Sequence, residues 1–315
     1  MSEALVGLAV PCRTDEPSLG RTLETALASW RCAPQAARAG LEVVDCLNGT
    51  DAPGPRAALA DFARRAQAAL ATQAAGAERA APAPAPGAIG VTAMHTPRVG
   101  KPNAWNVLRA ATRAPLALFM DADVGFAPET FGLLLDTLEG HPDAAIATAR
   151  TTCSPRPGLF ESIMAAPYGV EFPNISPQLY AARLTALPAT IPEDLLEPER
   201  WLELQLGRER VVRAPGAEVA VRLPGTLADF FRQRIRIEMG KVQFAYEYPG
   251  IETRGRPQPR LGAVLASLGP AAGARLGAYV ALRSVAHALA WWRYRRGRTA
   301  GIWRQAATTK RWDRA

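Results

Sequence analysis

Two carboxylates one residue apart, Asp121 and Asp123, close the apolar run Leu116, Ala117, Leu118, Phe119 and Met120. Hard oxygen donors at this spacing suit Mg2+ or Mn2+, which takes one or two protein carboxylates and fills its shell with water and substrate phosphate. The competing reading of an Asp-x-Asp pair is a turn cap; its position at the end of a buried-strand pattern favours the metal. Three other polar segments also follow apolar runs: Pro11-Cys12-Arg13-Thr14-Asp15-Glu16, Asn48-Gly49-Thr50-Asp51, and Gly100-Lys101-Pro102-Asn103-Ala104-Trp105-Asn106. Further along stand the acidic pair Glu193-Asp194 and the segment Gln233-Arg234-Ile235-Arg236-Ile237. A carboxylate within hydrogen-bond reach can take the proton of an attacking hydroxyl, and guanidinium groups match phosphate oxygens in a fork. Each has a plainer alternative. Glu193 and Asp194 also fit the N-terminus of a helix over residues 195–206, Arg234 and Arg236 a basic edge on a helix over 227–239, and a lone Gly-Lys pair a turn.

The elements that must position these groups alternate. Strand-like runs at residues 5–11, 41–46, 89–95, 115–120 and 144–149 are separated by helical or loop stretches, the pattern of a mainly parallel sheet flanked by helices. Leu19, Leu23, Ala26, Leu27 and Trp30 recur at helical spacing and predict a crossover helix over residues 18–30. An Ala-rich helix over 57–74 and the proline-alternating loop 80–86 read as peripheral. In an open parallel sheet ligands bind beyond the carboxyl ends of the strands, and four of the polar segments lie at such ends.

A chain of 315 residues with 48% hydrophobic and 21% charged residues folds by packing, and excludes a disulfide-stapled miniprotein or a disordered tail. Cys12, Cys32, Cys46 and Cys153 are scattered without zinc-site spacing, and the first residues lack the basic start of a signal peptide. The expectation is a reduced, cytoplasmic protein. Residues 1–250 hold 24 basic and 27 acidic side chains and residues 251–315 hold 13 and 2, so the net +8 is entirely C-terminal. That segment reads as a basic amphipathic helical tail, apart from a catalytic domain over 1–250. Arg275 and Arg283 interrupt its apolar stretch before it reaches the ~18 residues of a spanning helix. Arg275, Arg283 and His287 fall at multiples of four, near one helical face, and Trp291-Trp292-Arg293-Tyr294-Arg295-Arg296 sets rings beside cations. This suits a helix lying in an anionic membrane interface; a helix packed on the domain with a solvated basic edge is the equal alternative. Nucleic acid is set aside, because no reading motif accompanies the charge.

The ordered motifs over residues 5–243 resemble the inverting glycosyltransferases of family 2, which have the glycosyltransferase-A fold. Residues 11–16 are similar to the opening Pro-x-Tyr-Asn-Glu, with Arg13-Thr14 in place of Tyr-Asn. Asn48-Gly49-Thr50-Asp51 resembles the loop that meets the nucleotide base, and Gly100, Lys101, Ala104 and Asn106 match Gly-Lys-x-x-Ala-x-Asn. Asp121-Ala122-Asp123 matches the metal motif, Glu193-Asp194 the acidic pair with the general base, and residues 233–237 Gln-x-x-Arg-Trp, with Ile237 where Trp would stand.

The resemblance implies metal-dependent, inverting transfer from a nucleotide diphosphate sugar, a UDP-sugar first among them, to an acceptor hydroxyl. On it, Asp123 and Asp121 hold Mg2+ or Mn2+, with Asp121 also toward the ribose. Asp15, Glu16, Asn48, Asp51, Lys101 and Asn106 meet the nucleotide, and Gln233, Arg234 and Arg236 close over the diphosphate. Asp194 is the base and Glu193 orients it or the acceptor. Ile237 and the lack of spanning helices favour single addition over processive synthesis. A lipid-linked acceptor suits the basic tail. The rival readings are a nucleotidyltransferase of related fold and a non-catalytic nucleotide-sugar binder.

Overall fold

Apolar runs become strands where the pattern predicts them: β1 (Ala4–Arg13), β2 (Ala39–Asn48), β3 (Ile89–Thr96), β4 (Leu116–Met120) and β6 (Ile146–Cys153), joined by β5 (Gly125–Phe126), β7 (Leu179–Arg183) and β8 (Val211–Val221). The helices are α1 (Leu19–Cys32), α2 (Pro53–Ala74), α3 (Lys101–Ala111), α4 (Thr130–Gly140), α5 (Leu159–Ala165), α6 (Pro198–Leu206), α7 (Leu227–Glu247), α8 (Leu261–Ser267) and α9 (Pro270–Arg295). This computed structural model describes residues 4–49, 53–74, 88–153, 158–170, 174–249 and 261–297. Thr50 and Asp51, the proline-alternating loop, and the Trp-containing segment after residue 297 lie outside the described residues.

The sheet runs β3-β2-β1-β4-β7-β6-β8-β5. β1 is parallel to β2 and β4, and β2 to β3, whereas β7 is antiparallel to both β4 and β6. Four of the five apolar runs form the parallel half, and the fifth, β6, lies in the mixed remainder beside antiparallel β7. All ten residues of β2 are buried, which explains its near-continuous apolar sequence: a strand covered on both faces has no solvent side to mark with polar residues. Helix α1 lays Leu19, Leu23, Ala26, Leu27 and Trp30 on the main core.

Close approach and a latch set the β1–β4 pairing. A Cβ on Gly7 of β1 would stand 2.5 Å from Thr112 Cγ2, so only glycine lets the end of α3 pass this close. Buried Glu42 of β2 accepts hydrogen bonds from the backbone of Arg113 and Ala114 and from Arg113 Nε, which locks the entry to β4.

The chain forms two compact units. The first comprises Met1–Arg150, Ile175–Glu193 and Glu209–Val219; the second comprises Thr151–Asn174, Asp194–Arg208 and Ala220–Ala315. The C-terminal helices fall in the second unit with α5, α6 and α7. Within that unit α9 packs along α7 through Ile235, Met239, Ala286 and Ala290, and Met164, Phe230 and Tyr279 form a second cluster. Among the described residues no helix is long and apolar enough to cross a membrane.

One buried group opposes the packing around it. Asp45 of β2 is fully buried, and neither carboxylate oxygen has a hydrogen-bond partner. Burial raises its carboxyl well above the usual range and, with Asp45 adjacent, pushes the Cys46 thiol up to about 12. The fold holds the Asp45 proton to higher pH than the unfolded chain, which ionises it above about pH 3.9, so stability falls as pH rises from there, by up to about 1.4 kcal/mol per unit. Asp45→Asn lacks this loss. In urea unfolding, its stability relative to wild type is expected to improve as pH rises above about 4; a pH-independent difference would show that Asp45 is ionised in the fold.

Candidate functional site

The carboxyl ends of β1 and β2 are tied by one amide. Arg13 pairs with Asn48 in the β1–β2 register, and Asn48 with Thr96 in the β2–β3 register. Asn48 Nδ2 donates to Cys12 O at 2.8 Å, and its Oδ1 accepts from Gly100 N at 3.3 Å. One buried side chain thereby joins β1, β2 and the start of α3. Gly100 has φ +151° and Gly49 φ +122°, conformations that favour glycine. Gly49 is held from both sides, its N–H donating to Thr96 O at 3.0 Å and its carbonyl 3.0 Å from His95 Nε2.

Asp15 and Glu16 have local duties. Asp15 is exposed and bound by Arg13 in a fork, Nε to Oδ1 at 2.8 Å and Nη2 to Oδ2 at 3.0 Å. Glu16 is buried and accepts from Ser18 N at 3.0 Å, at the head of α1, where an acceptor satisfies an orphan N–H. The structure therefore uses Glu16 to start a helix.

Asp121 and Asp123 emerge from β4 partly exposed. Lys101, the first residue of α3, places Nζ 2.8 Å from Asp121 Oδ1 and donates to Pro177 O at 2.7 Å. Asp121 N donates to Gln178 O at 2.9 Å. Beneath them Phe119 is stacked between Trp105 and Tyr180, with ring centroids 5.7 and 5.1 Å apart, and Trp105 Nε1 donates to Tyr180 Oη at 3.0 Å. No group of three metal-ligating side chains occurs among the described residues. Two partly exposed carboxylates are nonetheless a donor set that Mg2+ or Mn2+ accepts beside water and phosphate oxygens, so the residues fit the ion.

Asn106 acts on the acidic pair's approach. Its Nδ2 donates to Ile191 O at 3.0 Å and its Oδ1 accepts from Ile191 N at 2.8 Å, which pins the segment leading to Glu193. Glu193 forms an ion pair with Arg98, a partner that the sequence reading missed because the two are far apart in the chain.

In the second unit, Asp194 lies in a turn before α6; Glu197 is the N-cap and Pro198 the first helical residue. This corrects the helix-cap alternative. Proline disfavours helical geometry in the residue before it, so the helix cannot start earlier. Both carboxylates of the pair are exposed. Buried Gln243 of α7 clasps this turn: its Nε2 donates to Asp194 O at 3.1 Å and its Oε1 accepts from Leu196 N at 3.0 Å.

Gln233, Arg234 and Arg236 all lie on α7, but they do not share a face. Residues two apart on a helix stand about 200° from each other. Arg234 turns inward, its Nε 3.1 Å from Glu238 Oε1 and its guanidinium 5.5 Å over the Tyr279 ring. Arg234 and Arg236, both expected at the diphosphate, therefore leave α7 on different sides, whereas Gln233 and Arg236, three apart and partly exposed, lie on one side.

Glu238 was missed altogether. It is 1% exposed and faces Arg234, Lys241 Nζ at 2.9 Å, Arg283 Nε at 2.9 Å and His287 Nδ1 at 3.1 Å. Burial alone would raise its carboxyl, but Lys241, Arg234 and Arg283 overcome this and hold it at about 2. Lys241 is lowered to about 8 by burial and by Arg234. The hint was the i, i+4, i+7 spacing of Arg234, Glu238 and Lys241 on one helix. Removing the carboxylate strands these cations, so Glu238→Gln is expected to lose about 3 kcal/mol at pH 7. Because the folded value lies below the ordinary ~4.3, that difference should shrink as pH falls from about 4.3 toward about 2. Urea midpoints across this range check it.

No protein-family model matches the sequence, and no curated protein sequence matches it. Solved structures match by shape. A mannosyltransferase from Pyrobaculum calidifontis, solved in complex with GDP-Man and Mn2+, aligns with TM-score 0.55 over 99% of this chain and 88% of its own, at 19% identity. Mannosyl-3-phosphoglycerate synthase from Rubrobacter xylanophilus aligns less closely, with TM-score 0.48 over 81% of this chain and 77% of its own at 15% identity. TarS of S. aureus does so with TM-score 0.44 over 93% and 92% at 13% identity. With its parallel β3-β2-β1-β4 half continued by antiparallel β7, and its likeness to the first of these structures, the chain has the glycosyltransferase-A fold.

Proposed function

We propose that the protein transfers one sugar per encounter from a nucleotide diphosphate sugar to an acceptor hydroxyl, with inversion at the anomeric carbon. The observation that carries this reading is the arrangement of Asp121, Asp123 and Lys101 at the carboxyl end of β4, next in the chain to the Asn48–Gly100 tie. Asp123 and Asp121 would hold Mg2+ or Mn2+, which when bound supplies positive charge to the leaving diphosphate. The mannosyltransferase of like fold, solved with GDP-Man and Mn2+, supports that choice of donor class and ion.

The chain's own residues have distinct tasks. Lys101, already held between Asp121 and Pro177, brings an ammonium to the diphosphate side, where charge develops as the bond to the sugar breaks. Arg236 and Gln233 supply further donors for phosphate oxygens. The glycine turn after Asn48, with Asp51, receives the nucleoside. Asp194 accepts the proton of the acceptor hydroxyl as its oxygen bonds to the anomeric carbon and the diphosphate leaves with its bonding pair. Glu193, anchored by Arg98, orients the base or the acceptor. A single displacement needs no carboxylate nucleophile. Ile237 in place of Trp supports single addition. The basic C-terminal region supports a lipid-linked acceptor, met at the cytoplasmic face of a membrane.

The test is nucleotide diphosphate release from UDP-, GDP- and dTDP-sugars with Mn2+ or Mg2+. One donor is expected to be turned over, and Asp123→Ala and Asp194→Asn are each expected to slow release by about a hundredfold or more. Asp194→Asn should still bind the donor. Unchanged release in both variants would refute the assignment.

A further inference from the structure

Helix α9 is packed on one side only. Leu276, Tyr279, Ala286 and Ala290 are buried, and Arg283 and His287 reach Glu238 of α7 from the same side. The face that the sequence offers to lipid headgroups is therefore turned into the unit. The opposite side carries Ala274, Ala281, Val285, Ala288, Leu289 and Trp292, all exposed, with Val285 at 51%, Leu289 at 39% and Trp292 at 39% of full exposure. At about 100° per residue these six fall within an arc of about 100°. Arg275, Arg283 and His287 all lie outside it, so a ridge about 27 Å long carries no charge. A scattered exposed Leu needs no explanation; a continuous apolar stripe does.

The end of the ridge differs from its length. Arg295 lies 4.9 Å over the Trp291 ring and Arg296 4.3 Å over Trp292. Trp291 Nε1 donates to Tyr246 Oη at 3.2 Å, and Tyr246 stacks on Tyr294 with centroids 6.1 Å apart. An aromatic group with a collar of Arg293, Arg295 and Arg296 thus terminates an uncharged stripe, within a segment holding 13 basic and 2 acidic residues.

We propose that the ridge of residues 274–292 docks flat on an anionic bilayer, with Val285, Leu289 and Trp292 entering the acyl boundary and the arginine collar meeting lipid phosphates. Indoles and arginines belong at headgroup depth, and an apolar helix face lies just beneath. Charge selects this occupant over a second copy of the chain, which would bring two strongly positive segments together. The inference rests on the membrane placement given above and names the surface responsible; it does not depend on transfer activity.

The test is flotation of the full chain with phosphatidylcholine vesicles with and without phosphatidylglycerol, comparing Leu289→Glu on the ridge with Ser284→Glu, the same charge change on the exposed helix surface beside it. Unchanged melting curves confirm that both variants fold. Wild type is expected to float with the anionic vesicles only, with a blue shift of tryptophan emission, and Leu289→Glu to bind roughly tenfold more weakly than Ser284→Glu. Equal losses in the two variants, with wild type binding, would overturn the ridge and leave the membrane placement standing. Failure of wild type to bind either vesicle would overturn both. A wild-type dimer that ignores vesicles and becomes monomeric in Leu289→Glu would assign the ridge to a second copy and overturn the proposal.

Discussion

The amide of Asn48 spans two strand ends and a helix start, accepting from Gly100 N and donating to Cys12 O. Parallel strands all finish at one edge of their sheet, and their loops have no pairing partner to hold them there. Fixing two of these ends to each other, and both to the glycine that opens α3, sets the first side chain of that helix. Lys101 then meets Asp121 at 2.8 Å because β4 pairs in register with β1 on the other side. The sheet supplies position, and the side chains at its edge supply charge. Displacing Asn48 would loosen the approach to the metal-type carboxylates without touching either of them.

The second unit is organised by a different rule. A carboxylate as deeply buried as Glu238 persists only when its charge is met, and here Arg234, Lys241, Arg283 and His287 all face it. That requirement draws the cationic face of α9 onto α7 and withdraws Arg234 from the surface. Gly240 helps, since a Cβ there would stand 2.5 Å from Glu197 Cγ and would push α7 off the segment before α6. Gln243, one turn on, then holds the backbone of the turn bearing Asp194. Two properties follow from one helix: an ordered acidic turn, and an outer face of α9 left apolar.

The apolar runs made β1 to β4 legible because each is a local pattern, and the polar residues after them were legible because parallel topology assigns strand ends a role. Contacts between distant residues were not. Asn106 was assigned to the nucleotide, yet it binds the backbone of Ile191, a pairing that no spacing rule signals. The acidic pair looked like a helix cap because the stretch after it is helical in composition; Pro198 moved the helix start. Arg283 and His287 were legible as a face but not as the face turned toward α7, since α9 is apolar on two sides and Glu238, 45 residues away from Arg283, decides which side turns inward.

The central claim is that Asp121 and Asp123 recruit a divalent cation together with a nucleotide diphosphate. Calorimetric titration of UDP and of GDP into the protein, with Mn2+ and with chelator, tests it most directly, with Asp123→Ala as the comparison. The account predicts that one nucleotide binds only when Mn2+ is present and that Asp123→Ala abolishes this dependence. Binding of equal strength with chelator, or none by either nucleotide with Mn2+, would contradict it.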